Sequence, residues 1–300
     1  MIQPTYLKEG DTLALVAASR FIEQDQLDRA VAFFKQFGFK VLCGPNIMKR
    51  SHQFAGTDQE RADDINWALG QKDVKAILFF RGGYGAARIV DLVNWEALKK
   101  QPKWICGYSD VTAIHQHVQS LGIQSMHSTM PIHLSETDEE SIMSFHALIE
   151  MLKGEKAEYY LGVDEGITYP KIQGQIMGGN LSVLYSILWS KSAVSWDDKI
   201  VFLEDLDEYL YHIDRMMNGL SRGGKLSKVK AIVAGSFTDM NDNTVPFGKD
   251  SLDILEEYAA KHKVPFFYEF PAGHQKLNIP VKLGAEVQIE DGVMTYLEAE

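Results

Sequence analysis

The chain has 300 residues, of which 45% are hydrophobic and 24% charged, and its formal net charge at pH 7 is −11. This composition is typical of a globular protein whose core is large enough to need no disulfide staples. The acidic balance, without any block rich in lysine and arginine, argues against nucleic acid or an anionic membrane as the main partner.

Length and cysteine content indicate the number of domains and the cellular setting. At roughly 100–200 residues per domain, the chain holds about two domains. Its two cysteines, Cys43 and Cys106, cannot form a disulfide framework, and we expect Cys106 to pack in the core. No apolar run approaches the ~20 residues that cross a bilayer, and residues 1–11 lack the pattern of a signal peptide. We therefore expect a cytoplasmic protein that does not bind membranes.

The first half of the chain alternates strand-like and helix-like segments. Between short apolar runs, apolar residues recur at the spacing of amphipathic helices. Capping-box patterns at Thr57 with Glu60, and at Thr137 with Glu140, predict the starts of two helices. Alternating strands and helices are typical of a parallel sheet with helices on both faces, so we predict the α/β class. The predicted strands lie at residues 12–18, 39–43, 74–80, 104–106 and 123–127.

The second half also mixes strands and helices. Residues 153–158 are polar and lack apolar periodicity, so we place the domain boundary there. We predict an N-terminal domain over residues 1–153, a linker over 154–170 and a C-terminal domain over 171–300. The strands predicted in the second half lie at residues 172–177, 199–203, 229–234, 266–270 and 281–289, and a hairpin turn is predicted at residues 291–292.

Residues 104–112 have the layout of a nucleophile elbow, in which a tight strand-to-helix turn exposes a serine over the end of a sheet. An apolar run ends at Cys106, a helix is predicted from Asp110 onward, and Ser109 lies at the turn, two residues after Gly107. The alternative is that Ser109 only caps the helix, because serine is common at N-cap positions. Both interpretations place Ser109 at the carboxyl end of a strand.

Polar residues follow other predicted strands, at the sheet edge where open parallel sheets bind ligands. Glu204 comes directly after the apolar residues 200–203, and His274 follows a strand and a Pro-Ala-Gly turn. A serine nucleophile needs a base such as histidine, and an acidic residue that orients the base. Glu204 and His274 are therefore the candidate acid and base, with His127 as a rival base because it also follows a strand.

Each of these assignments has a structural alternative. Glu204 could instead cap the following helix or pair with a lysine, and its neighbours Asp205, Asp207 and Glu208 are rival acids. His274, taken alone, is also compatible with a surface loop histidine. The coincidence of several such residues at strand ends is more informative than any one of them.

A glycine-rich turn at residues 81–85 leads from a strand into a helix. Its backbone N–H groups could bind phosphate, but the sequence lacks the P-loop pattern and has only a partial dinucleotide-binding pattern. The same turn can supply an oxyanion hole, with one N–H from Gly82 or Gly83 and one from Asp110. Arg81 could hold a substrate carboxylate in a bidentate pair.

Six motifs in chain order resemble the LD-carboxypeptidase family of serine peptidases, which includes the microcin C7 self-immunity hydrolases. The resemblance covers nearly the whole chain, and the order and spacing of the motifs make it specific. The motifs are residues 54–58 (FAGTD), 81–86 (RGGYGA), 107–112 (GYSDVT), 178–181 (GGNL), 202–205 (FLED) and 273–274 (GH).

The resemblance implies a Ser–Glu–His triad of Ser109, Glu204 and His274, with Asn180 of the fourth motif among the substrate contacts. It implies a flavodoxin-like N-terminal domain, a C-terminal swivelling β/α domain and an active site between them. It further implies a cytoplasmic enzyme of bacterial cell-wall recycling that cuts the L,D-amide before the terminal D-alanine of a murein tetrapeptide. No metal or cofactor belongs to this chemistry, and a homodimer is compatible with it.

Two segments depart from the family pattern. Many members have Ala-Pro-Ser-Ser after the first strand, where this chain has Ala17, Ala18, Ser19 and Arg20. A Gly-Pro-Met is frequent after the histidine that corresponds to His127, where this chain has Ser-Thr-Met. We expect both segments near the pocket, so they bear on the substrate.

Three hypotheses follow from these residues. The first is a serine carboxypeptidase acting on an L,D-amide of murein tetrapeptides. The second keeps the chemistry and changes the substrate to a peptidyl-nucleotide toxin of the microcin C7 type. The third is a non-catalytic module that binds a phosphorylated or sugar ligand at residues 82–85.

Overall fold

The computed structural model describes residues 1–164 and 166–297. Within them the first half of the chain alternates strands and helices. Its strands are β1 (Thr12–Val16), β2 (Lys40–Cys43), β3 (Val74–Phe79), β4 (Trp104–Gly107) and β5 (Ser125–His127). Its helices are α1 (Gln24–Gln36), α2 (Asp58–Gly70), α3 (Ala86–Ile89), α4 (Glu96–Lys100), α5 (Thr112–Ser120) and α6 (Glu139–Lys153).

The second half contains more strands and fewer helices. No helix in the described part of the chain is long and apolar enough to cross a membrane. The strands are β6 (Glu158–Tyr160), β7 (Ile172–Asn180), β8 (Lys199–Leu206), β9 (Ala231–Thr238), β10 (Phe266–Phe267), β11 (Val281–Leu283), β12 (Glu286–Glu290) and β13 (Val293–Tyr296). The helices are α7 (Leu181–Ser186), α8 (Leu210–Arg222) and α9 (Ser251–His262).

These strands form two sheets. The first has the order β11-β5-β4-β3-β1-β2, and its neighbouring strands are parallel except for the antiparallel pair of β11 and β5. The second has the order β10-β9-β8-β7-β12-β13-β6, with β10 to β7 parallel and the remaining pairs antiparallel. The predicted α/β class with parallel-strand sheets is confirmed.

The parallel strands bring the predicted motifs to the same edges. In the first sheet, the loops after β1, β3 and β4 leave neighbouring strands at their carboxyl ends. In the second sheet, β7 ends at Asn180 and pairs with β8 so that Asn180 lies opposite Glu204. Because ligands bind beyond the carboxyl ends of parallel strands, these two edges are where a site is expected.

The apolar core runs through both sheets. Trp104 and Met126 of the first sheet belong to the same cluster of buried side chains as Phe202 and Val287 of the second. Burial of apolar surface at ~25 cal/mol per Å² is the main favourable contribution to folding. The packing of one half of the chain is therefore coupled to the packing of the other.

Several predicted strands have other bounds in the structure: β7 and β8 continue to Asn180 and Leu206, so that Glu204 lies within its strand, and β9 begins and ends later than predicted. Two predicted strands are interrupted by left-handed backbone. The strand predicted over residues 281–289 is divided into β11 and β12, because Gly284 takes a φ of 85° that breaks the extended backbone. The strand predicted over residues 266–270 ends at Phe267, and Glu269 has a φ of 55°. Left-handed backbone of this kind cannot continue a sheet ladder.

The start of α6 also differs from its prediction. Asp138, not Thr137, is its N-cap, and the Asp138 carboxylate accepts a hydrogen bond from the Ser141 N–H at 3.1 Å. Both residue types cap helices well, so the sequence could not choose between neighbours. The capping box predicted at Thr57 and Glu60 is present at the start of α2.

The division of the chain into residues 1–153, 154–170 and 171–300 stays a prediction, to which the sheets add two details. The stretch predicted as linker contains β6, which pairs with β13 in the second sheet. Residues 281–283 return to the first sheet as β11. The C-terminal part of the sequence thus contributes strands to both sheets.

Candidate active site

Ser109 lies at a sharp turn between β4 and α5. Its φ is 62°, in the left-handed region that residues with a side chain rarely adopt, and a short 3-10 turn (Ser109–Val111) leads into the helix. Two residues earlier Gly107 has a φ of 151°, and a Cβ there would lie 3.1 Å from Val111. A non-glycine residue keeps such a backbone conformation only where the surrounding structure holds it there. The strand–turn–helix layout expected from the sequence is therefore present.

The carboxylate of Asp110 ties three loops together. It is buried and accepts hydrogen bonds from the Ser19 hydroxyl at 2.5 Å and from the Ala86 N–H at 2.8 Å. Burial raises the pKa of Asp110, and the two hydrogen bonds oppose that shift. The loop after β1, the glycine-rich loop and the turn at Ser109 are thus held in one arrangement. Sequence reasoning considered only the backbone N–H of Asp110 and missed this role.

Arg61 supports the same loops from α2. Its side chain is fully buried, and it donates hydrogen bonds to the carbonyls of Ala18 and Gly85, the latter at 3.1 Å. The Asp58 carboxylate pairs with it. Because an unpaired buried charge is unfavourable, these partners explain how the guanidinium is tolerated in the core. No signal in the sequence distinguished Arg61 from a surface arginine of a helix.

His274 and Glu204 form a hydrogen-bonded pair. His274 Nδ1 lies 2.6 Å from Glu204 Oε2, and the Glu204 side chain is completely buried inside β8. Since a carboxylate only accepts hydrogen bonds, Nδ1 is the donor and Nε2 is left for another partner. Gly273 permits this approach: its φ is 121°, and a Cβ there would lie 2.9 Å from Glu204 Cβ.

The pair shifts both pKa values. Burial disfavours the charged form of Glu204, but the interactions with His274 and His127 together outweigh it and hold the pKa of Glu204 below its usual range. Burial also disfavours the imidazolium of His274, and the Glu204 charge and hydrogen bond overcome this and raise the pKa of His274. The arrangement stabilises a positive imidazole, as a general base requires after it has taken a proton.

His127, the rival base, lies on the other side of Glu204. Its Nε2 is 3.8 Å from Glu204 Oε1, and neither ring nitrogen has a hydrogen-bond partner among the described residues. Its side chain is completely buried. The carboxylate of Glu204 therefore lies between two histidines, of which His274 faces the open cavity.

Asp205, a rival to Glu204, turns toward α7. Its carboxylate accepts hydrogen bonds from Asn180 Nδ2 at 2.9 Å and from the Ser182 N–H at 2.8 Å. Burial, followed by the charge of Glu204, raises the pKa of Asp205 to about 7. Asn180 also caps α7, since its Oδ1 accepts from the Val183 N–H at 3.1 Å. Both side chains of the pair are thus held by backbone groups at the start of that helix.

A cavity of about 500 Å³ brings the candidate residues together between the two sheets. Ser109 and His274 line the same cavity, and within the described chain the Ser109 hydroxyl makes no hydrogen bond. A Cβ at Gly82 would lie 3.0 Å from Ser109 Oγ, so the glycine-rich loop packs directly on this serine. Glu204 lies behind His274 and is not exposed to the cavity. The predicted residues that line it are Arg81, Gly82, Gly83, Ser109, Asp110, Asn180 and His274.

Comparison with known proteins identifies the family. Residues 13–128 match the LD-carboxypeptidase N-terminal domain, and residues 173–289 match the LD-carboxypeptidase C-terminal domain. This chain belongs to the LD-carboxypeptidase family. The resemblance inferred from the six motifs is thereby confirmed, and it makes the protein a member of a family of peptidases.

Two relatives in the LD-carboxypeptidase family extend over most of the chain. A probable murein peptide carboxypeptidase of Bacillus subtilis is 31% identical, over 98% of this chain and 93% of its own. A murein tetrapeptide carboxypeptidase of Pseudomonas aeruginosa is 26% identical, over 89% of each chain. Both names specify peptides of the cell wall.

A solved structure shows the same fold. The microcin C7 self-immunity protein MccF, in complex with aspartyl sulfamoyl adenosine, superposes with a TM-score of 0.88. It covers 100% of this chain and 99% of its own at 22% identity. This LD-carboxypeptidase family member therefore shares its two-domain architecture with MccF.

Proposed function

We propose that the protein is a cytoplasmic serine carboxypeptidase that releases the terminal D-alanine from murein tetrapeptides in cell-wall recycling. The observation that carries the proposal is the buried Glu204 bonded to His274 at a cavity that also holds Ser109 in a left-handed turn. The names of the two relatives support the substrate.

The proposed reaction has two stages, formation of an acyl-enzyme and its hydrolysis. Ser109 Oγ attacks the carbonyl of the L,D-amide while Nε2 of His274 takes its proton, which gives a tetrahedral intermediate. His274 then hands this proton to the amide nitrogen, and the C–N bond breaks to release D-alanine and leave an acyl-enzyme. Water, deprotonated by His274, then attacks the ester carbonyl, the C–O bond to Ser109 breaks, and His274 returns the proton to Ser109 Oγ as the tripeptide leaves. Glu204 holds the imidazole tautomer and stabilises its positive form throughout.

The negative oxygen of each intermediate requires donors in a fixed position. The proposal assigns this role to the backbone N–H of Asp110 and that of Gly82 or Gly83, whose residues surround Ser109. Preorganised donors of this kind contribute strongly because they need no rearrangement in the transition state. The carboxylate of Asp110 supports the arrangement, since it fixes both loops through Ser19 and Ala86.

Ser109 and His274 must form a hydrogen bond during turnover. Catalytic hydrogen bonds are commonly long in the free enzyme and tighten when substrate binds. The proposal requires no group beyond those of the chain and the attacking water.

A hydrolase of peptidyl-nucleotides is the second candidate, favoured by the likeness to MccF. Such a ligand needs an aromatic surface for the purine. Among the described residues that line the cavity, Tyr108 is the sole Phe, Tyr or Trp, and it is buried against His274 with ring centroids 4.7 Å apart. Trp189 is highly exposed but does not line the cavity. The murein peptide therefore remains the preferred substrate, and membership in a peptidase family argues against a non-catalytic module.

Parallel assays distinguish these substrates. We expect the protein to release D-alanine from the L,D-tetrapeptide and to leave the matched peptide with a terminal L-alanine intact. A peptidyl sulfamoyl adenosine should be cleaved at least tenfold more slowly, as judged by kcat/KM. Cleavage of the nucleotide conjugate alone would contradict the proposal in favour of the second candidate.

A further inference from the structure

Two arginines in the cavity have no acidic partner. Among the described residues, no carboxylate lies within ion-pair distance of Arg20 or Arg81, although both line the cavity beside Ser109. The guanidinium of Arg81 makes one hydrogen bond, to the Phe21 carbonyl at 3.2 Å. Arginines commonly find carboxylates or phosphates that match their planar donors. This pair therefore has binding capacity that the protein itself does not use.

Packing fixes Arg20 against the glycine-rich loop. A Cβ at Gly83 would lie 2.7 Å from Cγ, Cδ and Nε of Arg20, so the arginine side chain runs directly over this glycine. The neighbouring Gly82 is the residue that packs on Ser109. The two guanidinium groups thus belong to the same wall of the cavity as the nucleophile.

The acidic side chains that line the same cavity are bound to groups other than the two arginines. Asp207 accepts a hydrogen bond from Asn241 Nδ2 at 2.9 Å, and Glu208 pairs with His212. The two buried carboxylates of the lining, Asp110 and Asp205, accept the hydrogen bonds described above. Burial, followed by the nearby charge of Arg20, lowers the pKa of Arg81. Two like charges held close without a counter-ion favour the binding of an anion.

We propose that Arg20 and Arg81 together bind the free α-carboxylate of the residue that Ser109 releases, and so restrict cleavage to the last bond of the peptide. This inference rests on the proposed carboxypeptidase function and adds a specificity site to it. Two guanidinium groups can hold one carboxylate with charge-assisted hydrogen bonds to both oxygens.

Binding to the Ser109→Ala variant tests the site without turnover. Three synthetic tetrapeptides, built with a diamino acid that carries a side-chain carboxylate as third residue, are compared by calorimetry: the free acid, the C-terminal amide, and a peptide in which that side-chain carboxylate is an amide. We expect Arg20→Gln and Arg81→Gln each to weaken binding of the free acid roughly 10- to 100-fold, the range for a hydrogen bond to a charged group. The affinity for the C-terminal amide should stay unchanged, and the peptide with the amidated side chain should respond as the free acid does.

The matched control is Arg222→Gln, because Arg222 is exposed at the end of α8 and lies outside the cavity. This variant should bind all three peptides as tightly as the parent does. The inference is overturned if Arg20→Gln retains the parent's preference for the free acid over the C-terminal amide. It is also overturned if the loss follows the side-chain carboxylate instead.

The proposed function fails separately. Arginine-dependent binding of the free acid without release of D-alanine by the wild type would leave the carboxylate site standing and remove the carboxypeptidase. If the wild type releases D-alanine but Arg20→Gln keeps the parent's ratio of affinities for the free acid and the C-terminal amide, the carboxypeptidase stands and the carboxylate site is removed.

Discussion

At the scale of single residues, the site depends on one buried carboxylate. Glu204 is completely buried and shares a 2.6 Å hydrogen bond with His274, while His127 approaches its other oxygen to 3.8 Å. A buried charge is tolerated only when it is paired. The same pairing that makes Glu204 acceptable in the core raises the pKa of His274.

The pH dependence of the reaction follows from this shift. Proton abstraction requires neutral His274, so kcat/KM should fall as the pH drops through its pKa. Because Glu204 raises that pKa, half of the maximal kcat/KM should be reached above about 6.5, the ordinary value for histidine. Glu204→Gln removes the negative charge, so the acidic limb should move to lower pH while the plateau falls roughly 10²- to 10⁴-fold. Steady-state kinetics between pH 5 and pH 9, at about one-unit intervals, measure both.

Glu96→Gln is the control, because Glu96 is an exposed carboxylate that pairs with Lys99. Its pH profile should match that of the wild type. An acidic limb that keeps its position in Glu204→Gln would show that another group sets the pH dependence.

The sequence predicted residues that lie at the ends of strands better than it predicted what supports them. Ser109, Glu204 and His274 each belong to a motif whose residue type suggests chemistry. Arg61 carries no such signal, because its role depends on the carbonyls of two loops that the fold brings to it. Such contacts between distant segments cannot be deduced from spacing along one helix.

At the scale of elements, helix starts fix the loops of the site. Helix α2 begins at a complete capping box, in which Thr57 Oγ1 accepts from the Glu60 N–H at 3.2 Å and Glu60 accepts from the Thr57 N–H at 2.8 Å. One turn further Arg61 reaches the loops beside Ser109, the proposed nucleophile. The capping pattern was readable from sequence, whereas the division of residues 281–289 depended on which sheet each piece joins.

Removal of this cap should lower stability without rearranging the site. Thr57→Ala should reduce the free energy of unfolding by about 0.5–2 kcal/mol, as is typical when an N-cap side chain is lost. Thr168→Ala, at an exposed threonine outside any helix or strand, should change it far less. Urea unfolding followed by circular dichroism measures the difference. Equal stability of both variants would mean that the Thr57 cap contributes nothing measurable.

At the scale of the whole molecule, the two sheets are joined by more than a linker. β11 belongs to the C-terminal part of the sequence but pairs with β5 of the first sheet, with Val281 opposite His127. One apolar cluster contains side chains from both sheets. This arrangement could not be read from local patterns, because the apolar run that includes β11 looks like one continuous strand.

A substitution that leaves a cavity beside β11 should therefore destabilise both sheets. Leu283 is completely buried, and Leu283→Ala should lower the free energy of unfolding by about 2–5 kcal/mol, the range for a buried leucine. Hydrogen exchange should show faster opening in peptides from β1 to β4 and from β7 to β9 alike. Leu92→Ala, at an exposed leucine, is the control. Faster exchange in the first sheet alone would show that the two sheets unfold independently.

The central claim is that Ser109 is the nucleophile, and one rate comparison tests it most directly. Release of D-alanine from the L,D-tetrapeptide is measured for the wild type and for Ser109→Ala at equal enzyme concentration. We predict a loss of roughly 10³- to 10⁶-fold in kcat for the variant, with its fold unchanged by circular dichroism. Undiminished release by Ser109→Ala would contradict the account.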